Sequence, residues 1–193
     1  MKRIVVLASG GGSNLQALID ACVDGRVAGE IVLVLSNRSD AFALQRANRA
    51  GIAVALKTLG SELAKRGTRQ SYDFSVAQEV AKARPDLVVL AGWMHVFSPA
   101  FLECCGGKVI NLHPALPGMF PGTRAIERAL EAFRRGEIAE TGVMVHEVIP
   151  EVDAGPVLGT ERVTILPSDD IGTLSARMHE AEHRLLVQVV MGT

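Results

Sequence analysis

The sequence predicts an α/β protein: a single domain over residues 1–193 built on a doubly wound, mostly parallel, Rossmann-like sheet. Three observations point there. Short β-branched runs alternate with stretches of helical period along the chain. The runs are apolar on both faces, as parallel strands covered by helices are. The first run, "RIVVLA", leads through three glycines straight into a helical pattern, as in doubly wound folds.

Taken in order, Arg3–Ala8, Ile31–Leu35, Ala53–Leu56, Leu87–Leu90 and Val109–Leu112 read as strands. Helical patterns fall at Asn14–Asp24, Ala41–Ala50, Tyr72–Ala83 and Thr123–Arg135. A strand pair follows near Thr141–Glu147 and Pro156–Thr164, then a terminal helix over Ile171–Val190. The least regular stretch is Thr58–Ser71, with Lys65, Arg66 and Arg69; it reads as either a mobile solvated loop or a loop reaching over a site, and composition alone favours the first. No internal repeat, low-complexity tract or linker divides the chain.

With 193 residues the chain has the length of one domain with a well-buried core. A net charge of −1 supplies no basic field for nucleic acid or an anionic membrane. One Trp and one Tyr leave little for base stacking. Cys22, Cys104 and Cys105 lack CxxC or zinc-site spacing, so they are expected as buried thiols in a reducing compartment. The apolar run after Met1–Lys2–Arg3 is too short for a signal peptide, and a cytoplasmic location is expected. The histidines show no HExxH or equivalent cluster, so no metal is expected; His179 and His183 stand four apart on one helical face without a third ligand.

Ligands of open α/β sheets bind beyond the carboxyl ends of strands. That rule selects Ser9–Asn14, Ser36–Asp40, Ala91–Phe97 and Asn111–Gly122. In "LASGGGSNLQALI", glycines permit a tight turn, and amides at a helix start make an anion site that Ser13 or Asn14 can cap. A Walker A loop is excluded because no GK[ST] follows. A dinucleotide fingerprint fails at Leu15, where its last glycine belongs, and strand 2 ends in Ser36–Asn37–Arg38 without the ribose-binding acid. A phosphate monoester or mononucleotide site remains, against a plain β–α turn.

"VINLHPALPGMFPG" begins as a strand and ends in a stiff loop. Alternation places Asn111 and His113 on one face, about 7 Å apart. An amide there can donate to a developing oxyanion, and an imidazole can move protons or stabilise the same charge. The alternative is an Asn closing a turn beside a backbone-satisfied His. Asp153, in "EVDAGP", is either a turn residue or a carboxylate that orients His113.

These motifs, with "LVVLAGWMHVFSPAFL", "MVHEVIPEVDAGPV" and "EAEHRLL", resemble in order the phosphoribosylglycinamide formyltransferases, folate-dependent formyltransferases of purine synthesis. The resemblance covers nearly the whole chain. It implies formyl transfer from 10-formyltetrahydrofolate, a co-substrate rather than a bound cofactor, to glycinamide ribonucleotide. It implies Asn111, His113 and Asp153 as the catalytic trio. Gly11, Gly12, Ser13 and Asn14 would hold phosphate, with Arg69 of "R-x-x-Y-D" as a further phosphate contact and Glu182 against the glycinamide. Met94, His95, Val96, Phe97, His146 and Val152 would line the folate site, so the N-terminal part serves phosphate and substrate and the C-terminal part folate and catalysis. His95 stands where many members have arginine, and "HPALPGMFPG" departs from their usual loop. A formyltetrahydrofolate hydrolase, expected to carry an extra N-terminal domain, and a non-catalytic folate- or nucleotide-binding module are the alternatives; oligomeric state is left open.

Overall fold

The computed structural model describes residues 1–65 and 67–193; Arg66, from the expected Thr58–Ser71 loop, lies outside them. Two compact units make up the chain, Met1–Ile110 and Asn111–Thr193.

The first unit holds β1 (Lys2–Leu7), α1 (Ser13–Val23), β2 (Gly29–Ser36), α2 (Phe42–Arg49), β3 (Val54–Leu56), α3 (Leu59–Ala64), α4 (Arg69–Lys82), β4 (Leu87–Leu90) and α5 (Pro99–Cys104). Next comes β5 (Lys108–His113), and the second unit continues with α6 (Ala125–Arg134), β6 (Glu140–Glu147), β7 (Val157–Thr164) and α7 (Ile171–Gly192). Strand order in the seven-stranded sheet is β3-β2-β1-β4-β5-β6-β7. Strand β1 pairs in parallel with β2 and β4, and β2 with β3. The last pair, β6–β7, is antiparallel. The sheet is thus mostly parallel and flanked by helices, the expected fold class.

Burial explains the elements. Ile4, Val5, Val6 and Leu7 are wholly buried, so β1 needs apolar residues on both faces. Leu174, Met178, Ala181 and Leu185 recur at helical spacing and form the buried stripe of α7. Its start is fixed by a capping box in which Asp170 accepts from Thr173 N–H at 2.8 Å. Among the described residues no helix is long and apolar enough to cross a membrane.

Two expectations need correction. Thr58–Ser71 is not one irregular loop: it contains α3 and the first turn of α4. Thr58 caps α3 by accepting from Ser61 N–H, and Thr68 and Ser71 form a reciprocal capping box on α4. These caps outweigh the weak apolar signal of a segment whose α3 buries nothing. Of the three thiols, only Cys105 is buried; Cys104 is exposed at the end of α5 and Cys22 is half-buried.

Candidate active site

Gly12, not Ser13 or Asn14, is the N-cap of α1. It takes φ 71°, and no side chain caps the helix. A Cβ on Gly12 would lie 2.8 Å from the Cα and Cβ of Ala43, so both conformation and space demand glycine. The carbonyls of the loop are all engaged. Gly10 O accepts from Ala43 N–H at 3.1 Å, Gly11 O from Arg46 Nε at 2.9 Å, and Gly12 O from Gln16 N–H at 2.9 Å. Amides in a helix's first turn have no preceding carbonyl to bond, so the start of α1 presents main-chain donors at its positive end, suited to an anion.

Residues Met94–Ser98 are fastened at four points. Met94 N–H donates to Ser9 Oγ at 3.0 Å, and Ser98 N–H to Asp73 Oδ2 at 3.0 Å. Asn37 Nδ2 approaches His95 Nε2 at 3.3 Å, and the Arg69 guanidinium donates to the Val96 carbonyl. Arg69 is itself held by the buried Asp73, Nε to Oδ1 at 3.0 Å, an i,i+4 pair on α4. Arg69, expected at phosphate, therefore clasps the loop expected to meet folate. Burial pushes the His95 pKa down, with Arg69 acting the same way, so its neutral ring can accept from Asn37. Within this loop only the side chains of Met94, 65% exposed, and Val96, 58% exposed, stand well out in solvent. Phe97 is buried and stacked with Trp93 and Phe101, so it supports the loop from beneath and presents no ring to a ligand.

In the second unit, Asn111, His113 and Asp153 come together, joined by His146. Asp153 sits at φ 53° in the β6–β7 connection. A Cβ on Gly155 would fall 1.8 Å from the Glu147 carbonyl, so the "DAGP" turn requires its glycine. Asp153 Oδ2 accepts from Gly122 N–H at 2.8 Å and lies 3.3 Å from His113 Nδ1. Oδ1 accepts from Asn111 Nδ2 at 3.2 Å and lies 3.5 Å from His146 Nε2. Asn111 Nδ2 is also 3.2 Å from His146 Nε2, whose ring is turned by a 2.8 Å contact between Nδ1 and the Glu147 carbonyl. The carbonyl takes the proton on Nδ1, and Nε2 then faces both Asn111 Nδ2 and Asp153 Oδ1, accepting from the amide when bare and donating to the carboxylate when it carries a proton. The Asn111 amide is thereby engaged within the cluster, and an N–H must turn out of it to meet an oxyanion.

His113 is buried, with Nε2 3.2 Å from the Phe120 carbonyl. Both its nitrogens face acceptors, an arrangement that the imidazolium alone fills with donors. Burial nevertheless pushes its pKa below the ordinary value, against the opposing pull of Asp153 and the Phe120 carbonyl. A proton on this ring is well hydrogen-bonded yet given up more readily than from a free imidazole, as acid–base work requires. Burial would raise the Asp153 pKa, but His146, the Gly122 amide and His113 outweigh it, so the carboxylate is held below its usual range.

The remaining expected residues lie elsewhere. Val152 is exposed, whereas His146, expected at folate, is buried in the carboxylate cluster. Glu182 is buried in α7 and takes His179 Nδ1 at 3.0 Å, which raises the His179 pKa. The strand-end rule selects the stretches that hold Ser9, Asn37, Phe120 and Gly122 without giving these residues a role, and Arg46 lies outside them. Only the Arg69–Asp73 spacing carried a readable signal.

Residues 2–190 match the protein family described as formyl transferase. The chain is 48% identical to the phosphoribosylglycinamide formyltransferase of Schizosaccharomyces pombe, covering 97% of this chain and 94% of that one. It is 41% identical to the Escherichia coli enzyme of the same name, over 97% and 85% of the two chains. The structure of glycinamide ribonucleotide transformylase 1 from Symbiobacterium toebii matches with a TM-score of 0.91 at 34% identity, covering 99% of this chain and 86% of that one. The match to phosphoribosylglycinamide formyltransferase from Bacillus halodurans also reaches 0.91, at 31% identity, over 99% and 94%. On these grounds the chain belongs to the formyl transferase family.

Proposed function

We propose that the chain transfers the formyl group of 10-formyltetrahydrofolate to the amine of glycinamide ribonucleotide, giving formylglycinamide ribonucleotide and tetrahydrofolate in de novo purine synthesis. The observation that carries this reading is the Asn111–His113–Asp153 cluster, held by 3.2 Å and 3.3 Å contacts, in a chain 48% identical to an enzyme of that name. The substrate's amine is the nucleophile, so no serine or cysteine is called on. Its lone pair forms a bond to the formyl carbon, and the C=O π electrons move to oxygen. Collapse of that oxyanion breaks the bond from carbon to the folate nitrogen, N10. The proton lost by the amine is delivered to the departing N10.

Asn111 donates to the oxyanion through the N–H it releases from the cluster. His113 carries the proton, and the Asp153 carboxylate orients the ring and offsets its charge. The substrate phosphate goes to Gly11–Asn14, and Glu182 meets the glycinamide group. Met94, Val96 and Val152 are the apolar side chains we assign to the folate ring, with Arg69 and His95 holding the Met94–Phe97 loop in shape. Holding both substrates supplies much of the acceleration. The reading places the enzyme in the cytoplasm, without nucleic acid or membrane partners and without a resident cofactor.

The test mixes purified protein, glycinamide ribonucleotide and 10-formyltetrahydrofolate and follows tetrahydrofolate. Release that depends on glycinamide ribonucleotide is expected. Release without it would instead mark a hydrolase, and none under either condition a binding module.

A further inference from the structure

We propose that Arg46 is a positioning residue for the substrate phosphate: it holds the glycine loop from behind so that the loop's amides face the ligand. The inference rests on reading Gly11–Asn14 as the phosphate site. Arg46 lies on α2, and its guanidinium is fixed on three sides. Nε donates to Gly11 O at 2.9 Å, Nη1 donates to Gln16 Oε1 at 3.1 Å, and the Phe42 ring lies 5.0 Å from its central carbon. Gln16 is in turn held by Asp20, its Nε2 donating to Oδ1 at 2.9 Å. One residue back along the loop, Gly10 O accepts from Ala43 N–H, also on α2.

The consequence follows from peptide geometry. In a planar trans peptide the C=O and the next residue's N–H point in opposite directions. Fixing Gly10 O and Gly11 O on α2 therefore turns the N–H groups of Gly11 and Gly12 away from α2. There they join the first-turn amides of α1 in a concave array of donors, the kind of main-chain nest that binds anions. A cation on Gly11 O also polarises that peptide and strengthens its N–H as a donor. Lysine does not reproduce the arrangement. A compact ammonium lacks the planar fork that reaches Gly11 O and Gln16 Oε1 together. Arg46 acts through the loop and not by touching the phosphate, because it sits on the carbonyl side.

The test compares wild type, Arg46→Ala and Arg46→Lys. It measures KM for each substrate, competitive inhibition by inorganic phosphate, and thermal stabilisation by inorganic phosphate without turnover. In Arg46→Ala the KM for glycinamide ribonucleotide and the inhibition constant for phosphate should rise together, about tenfold, the equivalent of one lost charge-assisted contact. The KM for 10-formyltetrahydrofolate should hold within about threefold, and Arg46→Lys should recover only part of the loss. Three results would overturn the inference: phosphate inhibition that does not move, equal rises in both KM values, or full rescue by lysine. If Arg46→Ala does not fold, the lysine variant carries the same comparison. The thermal measurement separates this inference from the reading beneath it. A wild-type protein that transfers no formyl group but loses phosphate stabilisation on mutation would sink the proposed activity and leave Arg46 in place; normal transfer with unchanged phosphate binding would sink Arg46 alone.

Discussion

At the glycine loop the groups offered to a ligand are main-chain amides, set by residues adjacent in sequence and by one short helix behind them. At the Asp153 cluster they are side chains, and the key contact joins Asn111 to Asp153 across 42 positions. A main-chain site needs only the right turn, and glycine supplies it, as Gly12 does at φ 71°. A side-chain cluster needs separate segments to arrive together, each with its own hydrogen-bond partners. The difference predicts how each site fails. The cluster should lose turnover when one charge is removed, and the loop should lose affinity when its backbone is disturbed.

The largest effect is expected from Asp153→Asn. The replacement keeps the shape but removes the charge and turns one acceptor into a donor, opposite donors at Asn111 and Gly122 that already require oxygen. Turnover should fall about 10³-fold, in line with losing the orienting acid of a His-based site, while inhibition by inorganic phosphate stays within error. Weakened phosphate inhibition in a well-folded variant would show that the two sites do not fail separately.

The same contrast explains what was legible in the sequence. The glycine turn, the parallel strands and Asn111–His113 could be read because each is a local pattern: three glycines before a helix, buried β-branched runs, and two polar residues at alternate strand positions. Asp153 stands in the sequence as either a turn residue or an orienting carboxylate, and only family resemblance ties it to His113, since no spacing rule connects a turn residue to a strand so far away. The resemblance implies His146 as a folate contact, and its place beside Asn111 and Asp153 depends on the Glu147 carbonyl turning its ring, which no pattern encodes. Arg69 shows the limit from the other direction. Its type suits a phosphate, and the buried Asp73 one helical turn on also ties it to the Val96 carbonyl, a contact that no motif announces.

A smaller effect, of the opposite kind, is expected from Gly12→Ala. An L residue in the left-handed region costs roughly 1–2 kcal/mol, and the new Cβ would meet the backbone of Ala43 at 2.8 Å. The loop must shift, and its amides with it. We expect KM for glycinamide ribonucleotide and the phosphate inhibition constant to rise about 5–30-fold, the size of that strain expressed as affinity. An unchanged phosphate constant would mean that the amides of this turn do not bind the phosphate.

The smallest effect is one of pH, and it separates the regions because only the cluster is built from groups that titrate in this range. The folded pKa of His113 lies below its ordinary value, so folding favours the neutral ring. That contribution to stability is complete above the unfolded value of about 6.5 and is lost as pH falls through the folded value. Asp153, with its pKa depressed, contributes above an unfolded value of about 3.9 and loses that contribution as pH falls through its own, lower folded value. On acidification His113 should therefore release its share first, and Asp153 later. Between pH 7.5 and 5 the wild-type Tm should fall more steeply than that of His113→Asn, while Gly12→Ala should parallel the wild type from a lower start. Some slope should persist in His113→Asn, because burial lowers the His95 pKa too. Parallel curves for wild type and His113→Asn would show that the buried ring is not the acid-sensitive group, and the contrast drawn between the two regions would then hold for turnover but not for stability.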